Sequence, residues 1–239
     1  MFMRAFYEVS AVGPRARRHL PGDYTSRMQP LREQLAAVAA RLIVEDGLDY
    51  ATARRKAAHQ VLGHGTARPE QLPDNDLLRE HVAQYLAVFH GDAHPELLWR
   101  MRRAALGLME EFAEFHPYLA GAIWNGTATA HSGVHVLLFT DDTKAVDIHC
   151  IDRNIAYKAS QAPHYAGRQP VDRLAFEWPT PDGPIEASLS LYPLKDERGV
   201  LTHGTRGRGA ERGSIAAVRA LVQAGPQPSR DGSAGPNTM

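Results

Sequence analysis

The chain has 239 residues, enough for one large domain or two small ones. Its 27 basic and 27 acidic side chains cancel, so no global field draws it to nucleic acid or to an anionic membrane. The apolar fraction of 44% is that of a globular protein, and a single cysteine, Cys150, excludes an intramolecular disulfide and fits a reducing compartment.

No run of about 18 apolar residues occurs, so no transmembrane helix is expected. The N-terminus lacks the continuous apolar segment of a signal peptide, which makes a bacterial-type cytoplasmic protein the expectation. Residues Met1–Arg27 carry prolines, glycines and the basic cluster Arg15-Ala16-Arg17-Arg18 without periodicity and read as a disordered arm. Met28 directly precedes the first ordered pattern and is a candidate for the true start.

From Pro30 the pattern is helical. Leu31, Leu35, Val38 and Leu42 recur at helix spacing, and Gly47 supplies a stop. Asp49 caps a second helix that runs to Leu62 and ends at Gly63. Its Arg54-Arg55-Lys56 run reads either as a solvated face or as a phosphate contact. Asp74 or Asn75 caps a third helix with the stripe Leu78, Val82, Tyr85 and Phe89. A fourth starts at Pro95, carries Leu97, Met101, Ala105, Leu108, Phe112 and Phe115, and ends before Pro117.

The stretch Tyr118–Asp142 reads YLAGAIWNGTATAHSGVHVLLFTDD. Two apolar runs, Leu119–Trp124 and Val134–Phe139, flank a Gly-, Asn-, Thr- and Ser-rich link, the pattern of two buried strands and a shaped loop. This stretch resembles the signature of the nucleotidyltransferase superfamily, the polymerase-beta-like and kanamycin-type enzymes. Their pattern is an apolar strand, Gly-Ser, a spacer with a further Gly, then Ser-Asp-x-Asp on the next strand. Gly121-Ala122 falls where Gly-Ser belongs, Gly126 and Ala128 match the spacer, and Ser132 matches the Ser. Gly133 and His135 stand where the two carboxylates belong.

The resemblance implies a site in which Gly121, Ala122, Gly126, Thr127, Ser132 and His135 meet a nucleoside triphosphate. Transfer of a nucleoside monophosphate wants carboxylates because phosphoryl transfer runs on positioning and charge stabilisation, with Mg2+ held by hard oxygen ligands. An Asp-x-Asp pair on a strand converges on one face, whereas glycine has no ligand atom and imidazole suits softer metals. An active enzyme needs replacements, and the candidates are Asp141, Asp142 and Glu186. Glu186 matches a third carboxylate that the superfamily carries on a later strand; an exposed strand glutamate is the other reading of it. For metal binding, Glu186 and Asp141 are the candidates.

Downstream, Asp141 or Asp142 caps a helix through Lys144, Val146, Ile148 and Ile151, ended by Asn154. Ile155–Tyr157 reads as a short strand, and Ser160–Pro170 as irregular. Val171–Trp178 and Ile185–Tyr192 form an antiparallel hairpin, with Ile185, Ala187, Leu189 and Leu191 on one face and Glu186, Ser188 and Ser190 on the other. Arg198–Gly213, rich in Gly and Arg, reads as a plain flexible loop or as one whose arginines meet phosphates. Ser214 caps a last helix. Twelve histidines show no zinc spacing, and no phosphate-binding Gly-x-x-x-x-Gly-Lys-Ser/Thr loop occurs.

The expectation is therefore an α+β protein: residues 1–27 an arm, 28–93 a helical region, 94–224 a nucleotidyltransferase-like mixed sheet with flanking helices, and 225–239 a disordered tail. The function that follows is a nucleotide-binding or nucleotidyl-transferring protein of unknown acceptor, catalytically degenerate at its metal ligands. A protein-interaction role on a non-catalytic scaffold is the alternative. Nucleotide or protein partners are expected; membrane and nucleic acid are not.

Overall fold

The computed structural model describes residues 22–63, 67–165, 167–198 and 212–226, with side chains from residue 30 onward. Most of the expected N-terminal arm, the centre of the Gly/Arg-rich segment and nearly all of the C-terminal tail lie outside these residues.

Three helices come first. α1 spans Gly22–Asp46, so the helix begins within the expected arm and contains both Met28 and Pro30. α2 spans Tyr50–Leu62, and Asp49 caps it by accepting from the backbone N–H of Ala51 (2.9 Å) and Thr52 (3.0 Å). α3 spans Asn75–Phe89 under the cap of Asp74, which accepts from Leu77 N–H at 2.9 Å. Ala36, Ala39, Ala53 and Ala57 are fully buried between Leu35, Leu78 and Val82, so small side chains bring these helices close. Arg54 donates to the Pro73 carbonyl at 2.7 Å and to Asn75 Oδ1, tying α2 to the start of α3. The expected stripe of α3 departs at its end. Leu86 is buried and Phe89, the last residue of α3, is 65% exposed, with its ring centre 4.5 Å from that of Tyr85.

The second part opens with α4, His94–Glu111, which carries Pro95 in its first turn. Then come β1 (Tyr118–Ala120), the short α5 (Gly121–Asn125), β2 (Val134–Phe139), α6 (Thr143–Asp152) and β3 (Lys158–Ala162). β4 (Val171–Trp178), β5 (Ile185–Tyr192), β6 (Arg212–Ser214) and α7 (Ile215–Gln223) complete it. The six strands form one mixed sheet in the order β3-β4-β5-β2-β1-β6. β2 and β5 run parallel, and every other neighbouring pair is antiparallel. The fold is α+β, as expected.

Strand alternation decides which face is covered. Val134, Val136 and Leu138 of β2 and Ala187, Leu189 and Leu191 of β5 are buried against Met101, Leu108 and Phe112 of α4, Val146 and Cys150 of α6, and Val218 of α7. All three long helices of this part thus pack on one face. On the other face, among the described residues, a small apolar cluster sits at one end, where Phe139, Val171 and Tyr192 pack with Tyr118 and Leu137. Arg212 is buried with this cluster, its guanidinium 4.1 Å from the Tyr118 ring centre and 4.6 Å from that of Phe139.

Two expectations about the strands are corrected, and the helix expected after Asp142 is present. The first apolar run is a three-residue strand followed by a helical turn, since Gly121 at φ 74° swings the chain out of the sheet. The strand after α6 is Lys158–Ala162, while Ile155–Tyr157 has no regular structure. On α6, Val146 and Cys150 face the core, and Ile148 and Ile151 point to solvent. Among the described residues no helix is long and apolar enough to cross a membrane.

Candidate active site

The parallel pairing of β2 with β5 builds the site. It sets His135 beside Ser188 on the face the helices leave bare, with Nδ1 and Oγ 2.7 Å apart. β4 adds Ala175 opposite Ser188, Arg173 opposite Ser190 and Glu177 opposite Glu186. β3 extends the same rows with Lys158 opposite Ala175 and Ser160 opposite Arg173. The result is a polar field of hydroxyls, two cations, an imidazole and two carboxylates.

Gly121 sits over His135. A Cβ at Gly121 would lie 3.2 Å from His135 Cδ2, so the backbone at the start of α5 touches the imidazole edge. His135 is exposed to solvent as a residue, although its ring is crowded by the Gly121 backbone and the Ser188 hydroxyl. Burial pushes the imidazole below its ordinary value, the Arg173 charge lowers it further, and Glu186 offsets part of the effect. His135 is accordingly neutral near pH 7, and one ring nitrogen is engaged with Ser188.

Between Gly121 and His135 the chain is held at each step. Gly126, at φ 81°, closes α5, and the N–H groups of Gly126 and Thr127 both reach the Ala122 carbonyl. Thr127 is buried beside Tyr50 of α2. His94 Nε2 lies 3.0 Å from the Ala128 carbonyl. Ser132 Oγ accepts from Thr129 N–H at 2.9 Å, so this hydroxyl closes the loop. His131 packs on the corner between α1 and α2, where a Cβ on Gly47 would come within 2.7 Å of its ring.

The structure brings Gly121, His135 and Glu186 into one patch, and it places Ala122, Gly126, Thr127 and Ser132 in the loop that frames it. Asp141 and Asp142 lie at the opposite end of β2, about 17 Å of strand away. Asp141 accepts from Leu194 N–H at 3.0 Å, and Asp142 caps α6 by accepting from Ala145 N–H at 3.1 Å. The loop does not fold back to carry either one to Glu186.

Magnesium does not fit the side chains at positions 133 and 135. Gly133 offers no ligand atom, and a Cβ there would meet the Glu186 carbonyl oxygen at 2.9 Å. His135 offers a neutral imidazole, a poor partner for a hard cation. Glu186 one strand away and Glu177 two strands away are the carboxylates left, and among the described residues no three His, Cys, Asp or Glu side chains converge on a metal position.

Ser188, Arg173, Glu177 and Lys158 were not singled out from sequence as site residues. The signal present was alternation, which put Ser188 on the face of Glu186. That this face lies beside His135 follows only from strand order. No protein-family model matches the chain, and comparison with curated proteins finds no match either.

Proposed function

We propose that the chain is a nucleotide-binding module on a nucleotidyltransferase-like scaffold, without nucleotidyl transfer of its own. One juxtaposition supports this reading: the Gly121 backbone lies against position 135 at the start of a strand whose parallel neighbour carries Glu186 and Ser188. That is where such a scaffold would place its phosphate turn and its metal ligands. With no carboxylate at 133 or 135, magnesium-dependent transfer lacks its clamp. Arg173, Lys158 and the hydroxyls of Ser160 and Ser190 remain to meet phosphate oxygens.

The test is a thermal-shift titration with nucleoside triphosphates, with and without magnesium, alongside a pyrophosphate-release assay. Stabilisation without magnesium and without pyrophosphate is the expected result, and Arg173→Ala should weaken it about tenfold. Magnesium-dependent pyrophosphate release would overturn it in favour of an enzyme.

A second reading, an interaction role for the helical region, is favoured by Val88 and Phe89, which are 74% and 65% exposed at the end of α3. It predicts no shift with any nucleotide, together with concentration-dependent sedimentation that Phe89→Lys abolishes.

A further inference from the structure

A hollow of about 400 Å3 lies between α4 and the turn that joins β4 to β5. Strand alternation carries Trp178 to it. Leu174 and Phe176 are buried in the core that α4 covers, and Trp178 follows them on the same face of β4. From α4 come Trp99, Arg100, Arg103 and Gly107. Trp99 is fixed, its indole N–H donating to the Val222 carbonyl at 2.9 Å. Arg103 lies over that ring, 4.8 Å from its centre, and among the described residues its guanidinium makes no hydrogen bond or ion pair. Arg100 reaches toward Asp182 at 3.9 Å, the limit of ion pairing, and both side chains are well exposed. Gly107 sits inside α4 without a backbone or packing reason for glycine. Its φ is not left-handed, and a Cβ there would meet nothing within 4 Å. Alanine would serve the helix better, since glycine is costly in a helix interior. What the glycine keeps is open space, one helical turn from Arg103.

We infer that this hollow is a ligand site separate from the polar patch at His135, and that it takes a small aromatic carboxylate. Its volume is that of a small-molecule pocket. The ring lies over Gly107 against the Trp178 indole, an aromatic pair of the ordinary kind. The carboxylate meets Arg103, whose paired N–H donors match two carboxylate oxygens and whose seat on Trp99 holds the fork in place. Charge selects an anion over a cation. Glu96 and Asp182 also line the hollow, but Asp182 is turned to Arg100 and Glu96 is two helical turns from Arg103. Arg103 is left as the uncompensated charge.

Proton–nitrogen NMR of the full chain tests this, with naphthalene-2-carboxylate as the probe. Naphthalene-2-carboxamide and decalin-2-carboxylate are the controls. The chain has three tryptophans, and Trp124 packs on Gly213 instead, so its indole signal is the internal reference. The probe should shift the indole N–H signals of Trp99 and Trp178 but not that of Trp124, with a Kd of about 1 mM or tighter. The carboxamide should bind about tenfold weaker for want of charge-assisted bonds, and the saturated ring severalfold weaker for want of the stack. Arg103→Gln should bring the carboxylate down to the level of the carboxamide. Gly107→Leu should fill the hollow and abolish the shifts; if that variant does not fold, the exposed Arg103→Gln carries the test. No shift in the wild type, or shifts that persist in a folded Gly107→Leu, would overturn the site. Equal affinity for carboxylate and carboxamide would overturn its choice of an anion. Neither result touches the nucleotide reading, which rests on the other face of the sheet.

Discussion

At the scale of single residues, position 133 and position 135 respond differently to change. His135 is on the bare face with room on one side, so His135→Asp puts a carboxylate near Glu186 at little structural cost. A magnesium-dependent thermal shift absent from the wild type is the expected outcome. Adding Gly133→Asp should cost about 1–3 kcal/mol, read from urea unfolding, because the new Cβ runs into the Glu186 carbonyl oxygen. A double variant as stable as the single one would show that the two strands are further apart than described. The same imidazole sets a pH dependence. His135 and His94 are both held below the ordinary value near 6.5, chiefly by burial, the latter with partial relief from its bond to the Ala128 carbonyl. The unfolded chain therefore takes up protons first as pH falls, and stability must decline below about pH 6.5. The carboxylates held low, Asp49, Asp74 and Asp196, act in a more acid window. Urea midpoints should drop between about pH 7.5 and pH 5, and His135→Gln should flatten part of that slope. A midpoint that rises on acidification would contradict the assignment.

At the scale of elements, local chemistry explains the caps. Asp74→Ala removes both the bond to Leu77 N–H and an exposed ion pair with Arg32 at 3.0 Å; the loss should be about 1 kcal/mol, nearly all from the cap. A loss well beyond that would mean that the ion pair contributes more than its exposure suggests. Such caps were legible in sequence, as were the stops at Gly47 and Gly63 and the β4–β5 hairpin, because each depends on residues near in the chain. Elements defined by distant partners were not. β3 reads Lys-Ala-Ser-Gln-Ala, an edge strand with no apolar alternation, and only β4 makes it a strand. β6 is three residues at the end of a Gly/Arg-rich segment, and its ladder with β1 requires Gly213 because the Trp124 ring fills the space a Cβ would take. In the candidate site the resemblance singled out Gly121, His135 and Glu186, while Ser188 and Arg173 gained meaning only from the order β4-β5-β2.

At the scale of the whole molecule, the loop between α5 and β2 links the two cores among the described residues. The helical region has its own buried interior, and its α1–α2 corner presses on His131 while Tyr50 flanks Thr127. The segment framing the candidate site is thus braced by a part of the chain far away in sequence. Gly47→Ala tests that bracing: at φ 66°, with a Cβ aimed at the His131 ring, it should destabilise by about 1–3 kcal/mol and also weaken nucleotide binding. Lost stability with unchanged affinity would show that the brace does not reach the site.

Cys150 has a separate consequence for the molecule. The chain's one thiol is buried on the core-facing side of α6, and that burial, with Asp147 nearby, pushes it up to about 11. In the folded protein it presents neither thiolate nor access to an alkylating reagent. Labelling at this atom therefore proceeds only when the sheet and its helices come apart, and its rate is a built-in clock for that opening, needing no added probe.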